Sequence, residues 1–215
     1  MIRNEALAPP LLVGGLRVAG VADVLLTLCR DLSELDALVV VDSVLHGDLI
    51  DRQGLEERSR ARRRGAPQLR RILPFSDGRS ESAWETVLRE LHHSVDAPVT
   101  PQFEVFDEEG SFVARGDLRL DGLKVLHEYD GSHHLDVDRQ RDDLRRARRL
   151  IAAGWTRRGY TSHDLLFRAA GVLRDVDATL GRPHDSSRLA GWHQRIRASA
   201  VTPAGRAALA DRIQR

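Results

Sequence analysis

Residues 112–134 read FVARGDLRLDGLKVLHEYDGSHH, and the way this stretch pairs with itself decides the fold. Asp121-Gly122 lies between two β-rich runs, which is a strong local signal for a hairpin. Taking those two residues as the turn pairs Leu120 with Leu123, Leu118 with Val125, Asp117 with Leu126 and Arg115 with Glu128. In that register Phe112, Ala114, Gly116, Leu118 and Leu120 share an almost wholly apolar face with Leu123, Val125, His127 and Tyr129. Arg115, Asp117 and Arg119 share the other face with Lys124, Glu128 and Asp130. Asp117 and Glu128 are then diagonal neighbours, with backbones about 7–8 Å apart. A slip of one residue would send the acids of one strand to the opposite face, so the register carries the inference.

Acids gathered on one face oppose stability. Two carboxylates about 6–7 Å apart repel by roughly 2–3 kcal/mol at an effective dielectric near 20. Positive charge should offset this, supplied either by arginines or by a divalent metal. One reading is a solvated sheet face neutralised by Arg115, Arg119 and Lys124; the other is a metal site. Spacing alone leaves both open.

Taken in order, Glu85, Asp117, Glu128-Tyr129-Asp130-Gly131 and His133-His134 resemble the PD-(D/E)XK, or restriction-endonuclease-like, superfamily. More narrowly they resemble its uncharacterised bacterial branch related to very-short-patch-repair endonucleases, whose hallmark is a strand ending in E-x-D-G followed by histidine. The resemblance covers roughly residues 79 to 181. It implies an α/β fold with a restriction-endonuclease-like core: helix, antiparallel β-hairpin sheet, helix, strand, helix. It implies Asp117 and Glu128 as metal-binding acids, Glu85 as an accessory acid, and Asp130 in the place usually held by the motif lysine. The chain has a single lysine, Lys124, so another group must take that role, and His133 or His134 is the candidate.

The implied chemistry is metal-dependent hydrolysis of phosphodiester bonds in nucleic acid, with DNA as the expected substrate. Mg²⁺ or Mn²⁺ prefers carboxylate and water oxygens, polarises a phosphate and lowers the pKa of a bound water. An imidazole is suited to moving the proton near neutrality. The competing expectation is a non-catalytic nucleic-acid-binding or regulatory module that retains the fold. In the resembled family a winged-helix reader often precedes a helical linker and the nuclease-like domain. This chain is read as beginning near the linker, which raises the expectation of a separate DNA-reading partner.

At 215 residues, 41% apolar and 30% charged, the chain can hold one sizeable domain and a smaller one. Lys+Arg 33 against Asp+Glu 32 gives +1, so net charge does not argue for nucleic acid. The single cysteine, Cys29, excludes an intrachain disulfide and a cysteine-rich zinc site. No apolar run reaches the ~18 residues needed to cross a bilayer. Pro9-Pro10 and the lack of a compact apolar stretch near the terminus argue against a signal peptide. The expectation is a cytoplasmic protein without a membrane partner. No glycine-rich phosphate loop or serine nucleophile elbow is present.

Residues 1–78 read as a helical N-terminal segment: a punctuated loop to about Gly20, then helices over Val21–Leu32, Glu34–His46, Asp51–Arg64 and Pro67–Leu73. Arg58, Arg60, Arg62, Arg63 and Arg64 are either phosphate contacts or a solvated face. Residues 79–181 form the endonuclease-like domain. It opens with the amphipathic helix Glu81–Val95, followed by the strand Gln102–Phe106 and the hairpin. A helix over Asp138–Ala153 carries a narrow stripe of Leu144, Ala147, Leu150 and Ile151. Its Arg141, Arg145 and Arg148, with Arg115 on the hairpin, are the candidate nucleic-acid contacts, Arg141 foremost because the family pattern places basic residues early in this helix. A weak strand Trp155–Tyr160, a capping box at Thr161 and Asp164, and a helix to about Leu180 complete the domain. Residues 182–215 read as a polar, partly ordered tail with Trp192 as its one large anchor.

Overall fold

The structure is a computed structural model that describes residues 11–131 and 137–214, with the backbone alone over 137–140. The chain divides into two compact units, Met1–Glu81 with Gln194–Arg215, and Ser82–His193.

The first unit opens with a small antiparallel hairpin, β1 (Leu11–Val13) and β2 (Leu16–Val18), where the sequence suggested a loop. Gly14 and Gly15, both at positive φ, make the tight turn. Four helices follow: α1 (Val21–Asp31), α2 (Glu34–His46), α3 (Arg52–Ser59) and α4 (Ala66–Ile72). Ser33 caps α2 by accepting the Asp36 N–H, and Asp51 caps α3 by accepting that of Gly54. Their apolar stripes meet in one core that includes Leu25, Leu38, Val41, Leu55 and Leu69. Of the arginine run, Arg58, Arg60, Arg62 and Arg64 are exposed and Arg63 turns inward. Arg63 pairs with the buried Asp23, Arg71 with Glu34, and Arg70 donates to the Ser59 carbonyl.

The second unit is a three-layer α/β structure. Ser82 caps α5 (Ala83–Ser94), and the strands β3 (Val99–Phe106), β4 (Phe112–Leu120) and β5 (Val125–Tyr129) follow. Next come α6 (Val137–Ala152), β6 (Thr156–Tyr160), α7 (Ser162–Phe167) and α8 (Ala169–Thr179). The sheet order is β3-β4-β5-β6, antiparallel through β5, with β6 parallel to β5. A parallel neighbour needs a crossover, and α6 provides it. The capping box at Thr161 and Asp164 is present and starts α7.

The hairpin register differs from the one read off the sequence. Leu118 pairs with His127 and Arg119 with Leu126, two residues away from the expected pairing. Gly122 has φ +78°, whereas Asp121 is not among the residues at positive φ. The turn is therefore not the doubly left-handed kind that continues directly into a ladder. Leu123 N–H closes it onto the Leu120 carbonyl, and pairing begins beyond Lys124. An even offset preserves the faces of β5. His127 meets α5, while Leu126 packs with Leu150 of α6, so the sheet is covered on both sides.

The strict alternation expected along β4 fails at one point. A Cβ on Gly116 would meet the Leu126 side chain at 2.7 Å, so Gly116 faces α6. Leu118, two residues on, pairs with His127 on the α5 side. The change of face falls at Asp117. Opposite it in β3, Gln102 takes φ +50° and drops out of the paired register between Pro101 and Phe103. Such irregularities redirect side chains and recur beside functional sites.

Residues 182–215 carry regular structure: a 3-10 turn (Ser186–Leu189), α9 (Ala190–Ala198) and α10 (Pro203–Gln214). Trp192 is fully buried, and its indole N–H donates to the Leu165 carbonyl at 3.2 Å. An anchored ring of this size fixes the helix that carries it.

Candidate functional site

Three elements bring acids to the irregularity. Glu85 lies on α5 near its N-terminus, where the helix dipole favours negative charge. Its Oε2 accepts a hydrogen bond from Gln102 Nε2 at 2.8 Å, so the displaced residue of β3 reaches back to the helix. Asp117 lies at the switch in β4, and Glu128 near the end of β5. Glu85 is 9% exposed and Glu128 4%. Trp84 stacks on Tyr129 with ring centroids 5.7 Å apart, fixing one wall where α5 meets β5.

Asp117 is the electrostatically strained member. Its Oδ2 accepts the Tyr129 N–H at 2.8 Å. Burial, then the charges of Glu85 and Glu128, push its carboxyl up to about 7, against the lowering pull of that N–H and of Arg146. With Oδ2 engaged, the proton falls to Oδ1. The group would be about half ionised near neutrality.

Glu128 has the opposite fate. Burial raises its pKa, but the hydrogen bonds and charges of Arg146 and then Arg157 outweigh that and hold it below the usual carboxylate range. Arg146 of α6 grips it with both terminal nitrogens, at 2.9 Å to Oε2 and 2.5 Å to Oε1. Arg157 of β6 reaches Oε2 through Nε and bridges to Asp130 through Nη2. Asp130 is about half exposed, and its N–H donates to the Tyr160 carbonyl at 2.8 Å. Of the expected neutralisers, Arg119 and Lys124 are placed elsewhere. Arg119 lies over the Phe103 ring, Lys124 donates to the Ala153 carbonyl, and Arg115 pairs across the sheet from Glu104.

Sequence reasoning thus found the acids and missed the arginines that serve them. Arg146 had a detectable signal, since it lies four residues before Leu150 and hence on the same helix face. The expected stripe hid it: Leu144 and Ile151 are exposed, and Leu150 is the buried residue. Arg157 was legible only as a blemish in a weak strand. The candidate nucleic-acid contacts Arg141, Arg145 and Arg148 are all exposed on α6, with Arg145 also paired to Asp142 at 3.1 Å. Their spacing of four and three residues puts them on one face. His133 and His134 lie outside the described residues.

The other face of the sheet also buries titratable groups. His92 Nδ1 bonds the Leu88 carbonyl at 2.8 Å, and its Nε2 meets His127 Nδ1 at 2.8 Å. Desolvation chiefly lowers His92 to about 4 and His127 to about 2, so both are neutral in the folded protein. In the assignment that satisfies both bonds, His92 donates from Nδ1 and His127 donates to His92 Nε2. His127 Nε2 is then buried without a partner. A cleft of about 590 Å³ between β6, α7 and α8, bordered by Phe167, Arg168 and Arg174, lies beyond this face, and none of the expected site acids lines it.

The donor set can be weighed against the divalent cation that the resemblance implies. Glu85, Asp117 and Glu128 offer the hard oxygens such an ion takes, and the repulsion at Asp117 is an excess of negative charge that a cation would relieve. The atom types fit, but both oxygens of Glu128 are taken up by Arg146 and Arg157. Among the described residues, however, no three acids, histidines or cysteines stand together as a finished cation site. No described helix is long and apolar enough to cross a membrane. No family model, curated protein or solved structure matches the chain.

Proposed function

We propose that the second unit is a restriction-endonuclease-like nuclease that hydrolyses phosphodiester bonds in nucleic acid, DNA foremost, with Mg²⁺ or Mn²⁺. The observation that carries this reading is the place of Asp117, where the sheet alternation breaks and where Glu85 of α5 and Glu128 of β5 are near enough for both charges to act on its carboxyl. The order helix, three antiparallel strands, helix and parallel strand is the one the resemblance implies. Structural stability gives no reason to crowd three carboxylates until one is held near neutral pKa.

In this reading Asp117 and Glu128 would hold the cation, with Glu85 beside them. When bound, the metal supplies charge for the scissile phosphate and an acidified water. Asp117 would be ionised while it holds the cation; without metal, burial and the neighbouring acids put its carboxyl near 7. Asp130, half exposed and bridged by Arg157, orients that arginine toward Glu128. Trp84 stacks on Tyr129 where α5 meets β5, next to Glu85 and Glu128 in sequence. Arg141, Arg145 and Arg148 present a basic stripe along α6, which suits contacts to a phosphate backbone without reading bases.

A second reading, a nucleic-acid-binding module that does not hydrolyse, draws on the closure of Glu128 under Arg146 and Arg157. Incubation with supercoiled plasmid, single-stranded DNA and RNA in Mg²⁺ or Mn²⁺ separates the two. Cleavage by the wild type and none by Asp117→Asn or Glu128→Gln is the expected result. Binding without cleavage, unchanged in both variants, would replace the nuclease by the binding module.

A further inference from the structure

The cleft between β6, α7 and α8, about 590 Å³, is of the size that takes a small molecule. It lies within the second unit and is lined by residues the nuclease reading does not use, so its ligand is argued independently of that reading. Two acids line it, and both have partners in the chain. Asp175 accepts from Arg158 Nη1 at 2.8 Å and from the Tyr160 hydroxyl at 3.1 Å. Asp164 is turned into the capping box of α7, where its Oδ2 accepts the Thr161 N–H at 2.9 Å. The two cations are in the opposite condition. Arg168 and Arg174 line the same cleft, both are exposed, and neither guanidinium has a hydrogen bond or ion pair among the described residues. With Arg158 matched to Asp175, the remaining Arg168, Arg174 and Asp164 leave one positive charge in excess.

The floor beside them is held open. Gly171 sits in the first turn of α8, and outside its own helix backbone a Cβ there would meet only Arg174 Nη2, at 3.9 Å. Helix propensity favours almost any other residue at such a position, and packing does not forbid one. The missing side chain leaves space next to the Arg174 guanidinium. At the rim, Phe167 ends α7 with 73% of its surface exposed, the most of any described phenylalanine. His163, four residues earlier, meets its ring with centroids 5.2 Å apart and restrains it. One exposed ring needs no explanation. A ring beside two unengaged guanidiniums and an open floor offers matched contacts: a flat face on which a base stacks, and planar forks that suit a phosphate.

We propose that this cleft binds a nucleotide with a terminal phosphate, either a free nucleoside monophosphate or the phosphorylated end of a nucleic-acid strand. The base stacks on Phe167, and Arg168 and Arg174 hold the phosphate above Gly171. A lone cation would be repelled by the two guanidiniums, and an uncharged apolar ligand would leave both unused.

Calorimetric titration of AMP into the full chain, without added metal, tests this. Wild type should bind AMP with a Kd below about 1 mM. Adenosine and inorganic phosphate should each bind about tenfold more weakly or worse, since each supplies only part of the contacts. Arg174→Gln and Phe167→Ala should each weaken AMP by about tenfold, the usual worth of a charged hydrogen bond or of one stacked base. Gly171→Leu fills the floor in a helix that favours the larger residue, so it should abolish binding while unfolding no more easily than wild type. Displacement of AMP by a phosphorylated oligonucleotide, but not by the same strand without its phosphate, would make the strand end the source. Displacement by neither would make the free mononucleotide the ligand. The proposal is overturned if wild type does not bind AMP, if inorganic phosphate binds as tightly as AMP, or if Gly171→Leu and Phe167→Ala leave AMP binding unchanged.

Discussion

The two faces of the four-stranded sheet solve the same problem in opposite ways. Towards α5, His92 and His127 are buried by giving up their charge and sharing a hydrogen bond. Towards α6, Glu128 is buried as an ion because Arg146 and Arg157 come to it. Asp117, where the alternation switches face, has neither a full neutral partner nor a full ion pair, and its carboxyl is left near pH 7. That contrast sets Asp117 apart from the other buried titratable groups of the sheet.

The largest effect is expected on the ionic face. Glu128→Ala leaves two guanidiniums facing each other without their carboxylate, and should destabilise the chain by about 2–3 kcal/mol in denaturant unfolding. The figure is kept modest because both arginine side chains are about a third exposed and partly solvated. A change below about 0.5 kcal/mol would mean that the pair is not formed in solution.

The switch point should behave in the reverse sense. Because the folded pKa of Asp117 is raised to about 7 from an ordinary value near 3.8, the folded chain holds a proton that the unfolded chain has lost. The contribution of Asp117 to stability therefore falls as pH rises from about 4 to 7, and its whole cost is present above 7. Asp117→Asn carries no such cost, so it should be more stable than wild type at pH 8, on the order of 2 kcal/mol. The gain should disappear below pH 4. Parallel stability profiles of the two proteins would remove Asp117 from its assigned role.

The smallest effect at neutral pH belongs to the histidine face. His127→Leu loses one hydrogen bond but also removes the unpartnered Nε2, so at pH 7 the net change should be within about 1 kcal/mol. The acid response should change more. Folded pKa values near 4 and 2 lie below the ordinary 6.5, so the histidines' contribution is lost as pH falls through 6.5, where only the unfolded chain takes up their protons. Removing His127 takes away about half of the histidines' joint contribution, so wild type should lose stability relative to the variant by about 1 kcal/mol per pH unit between pH 6 and 4.5 in urea titrations.

Much of this architecture was legible in the chain. Periodicity located α2 and the core of α5, the Thr161 and Asp164 spacing gave the start of α7, and Asp121-Gly122 gave the turn. The acids could be read because charged residues inside β-rich runs stand out against their neighbours. The two-residue change in register could not be read, since it follows from the φ of Asp121, which sequence does not fix. Nor could the change of face at Asp117, which depends on Gln102 taking a left-handed conformation in another strand. The partners of Glu128 were hidden for a different reason. In a helix with arginine at six of its positions, composition cannot say which one turns inward, and the answer rests on how Leu150 seats the helix on the sheet.

The most direct test of the proposed metal site is Mn²⁺ calorimetry in the presence of a phosphorothioate oligonucleotide that resists cleavage, comparing wild type with Asp117→Ala and Glu128→Ala. The account predicts binding by wild type that either substitution abolishes, because one cation would need both carboxylates. Binding that survives both substitutions, or fails in wild type, would contradict it.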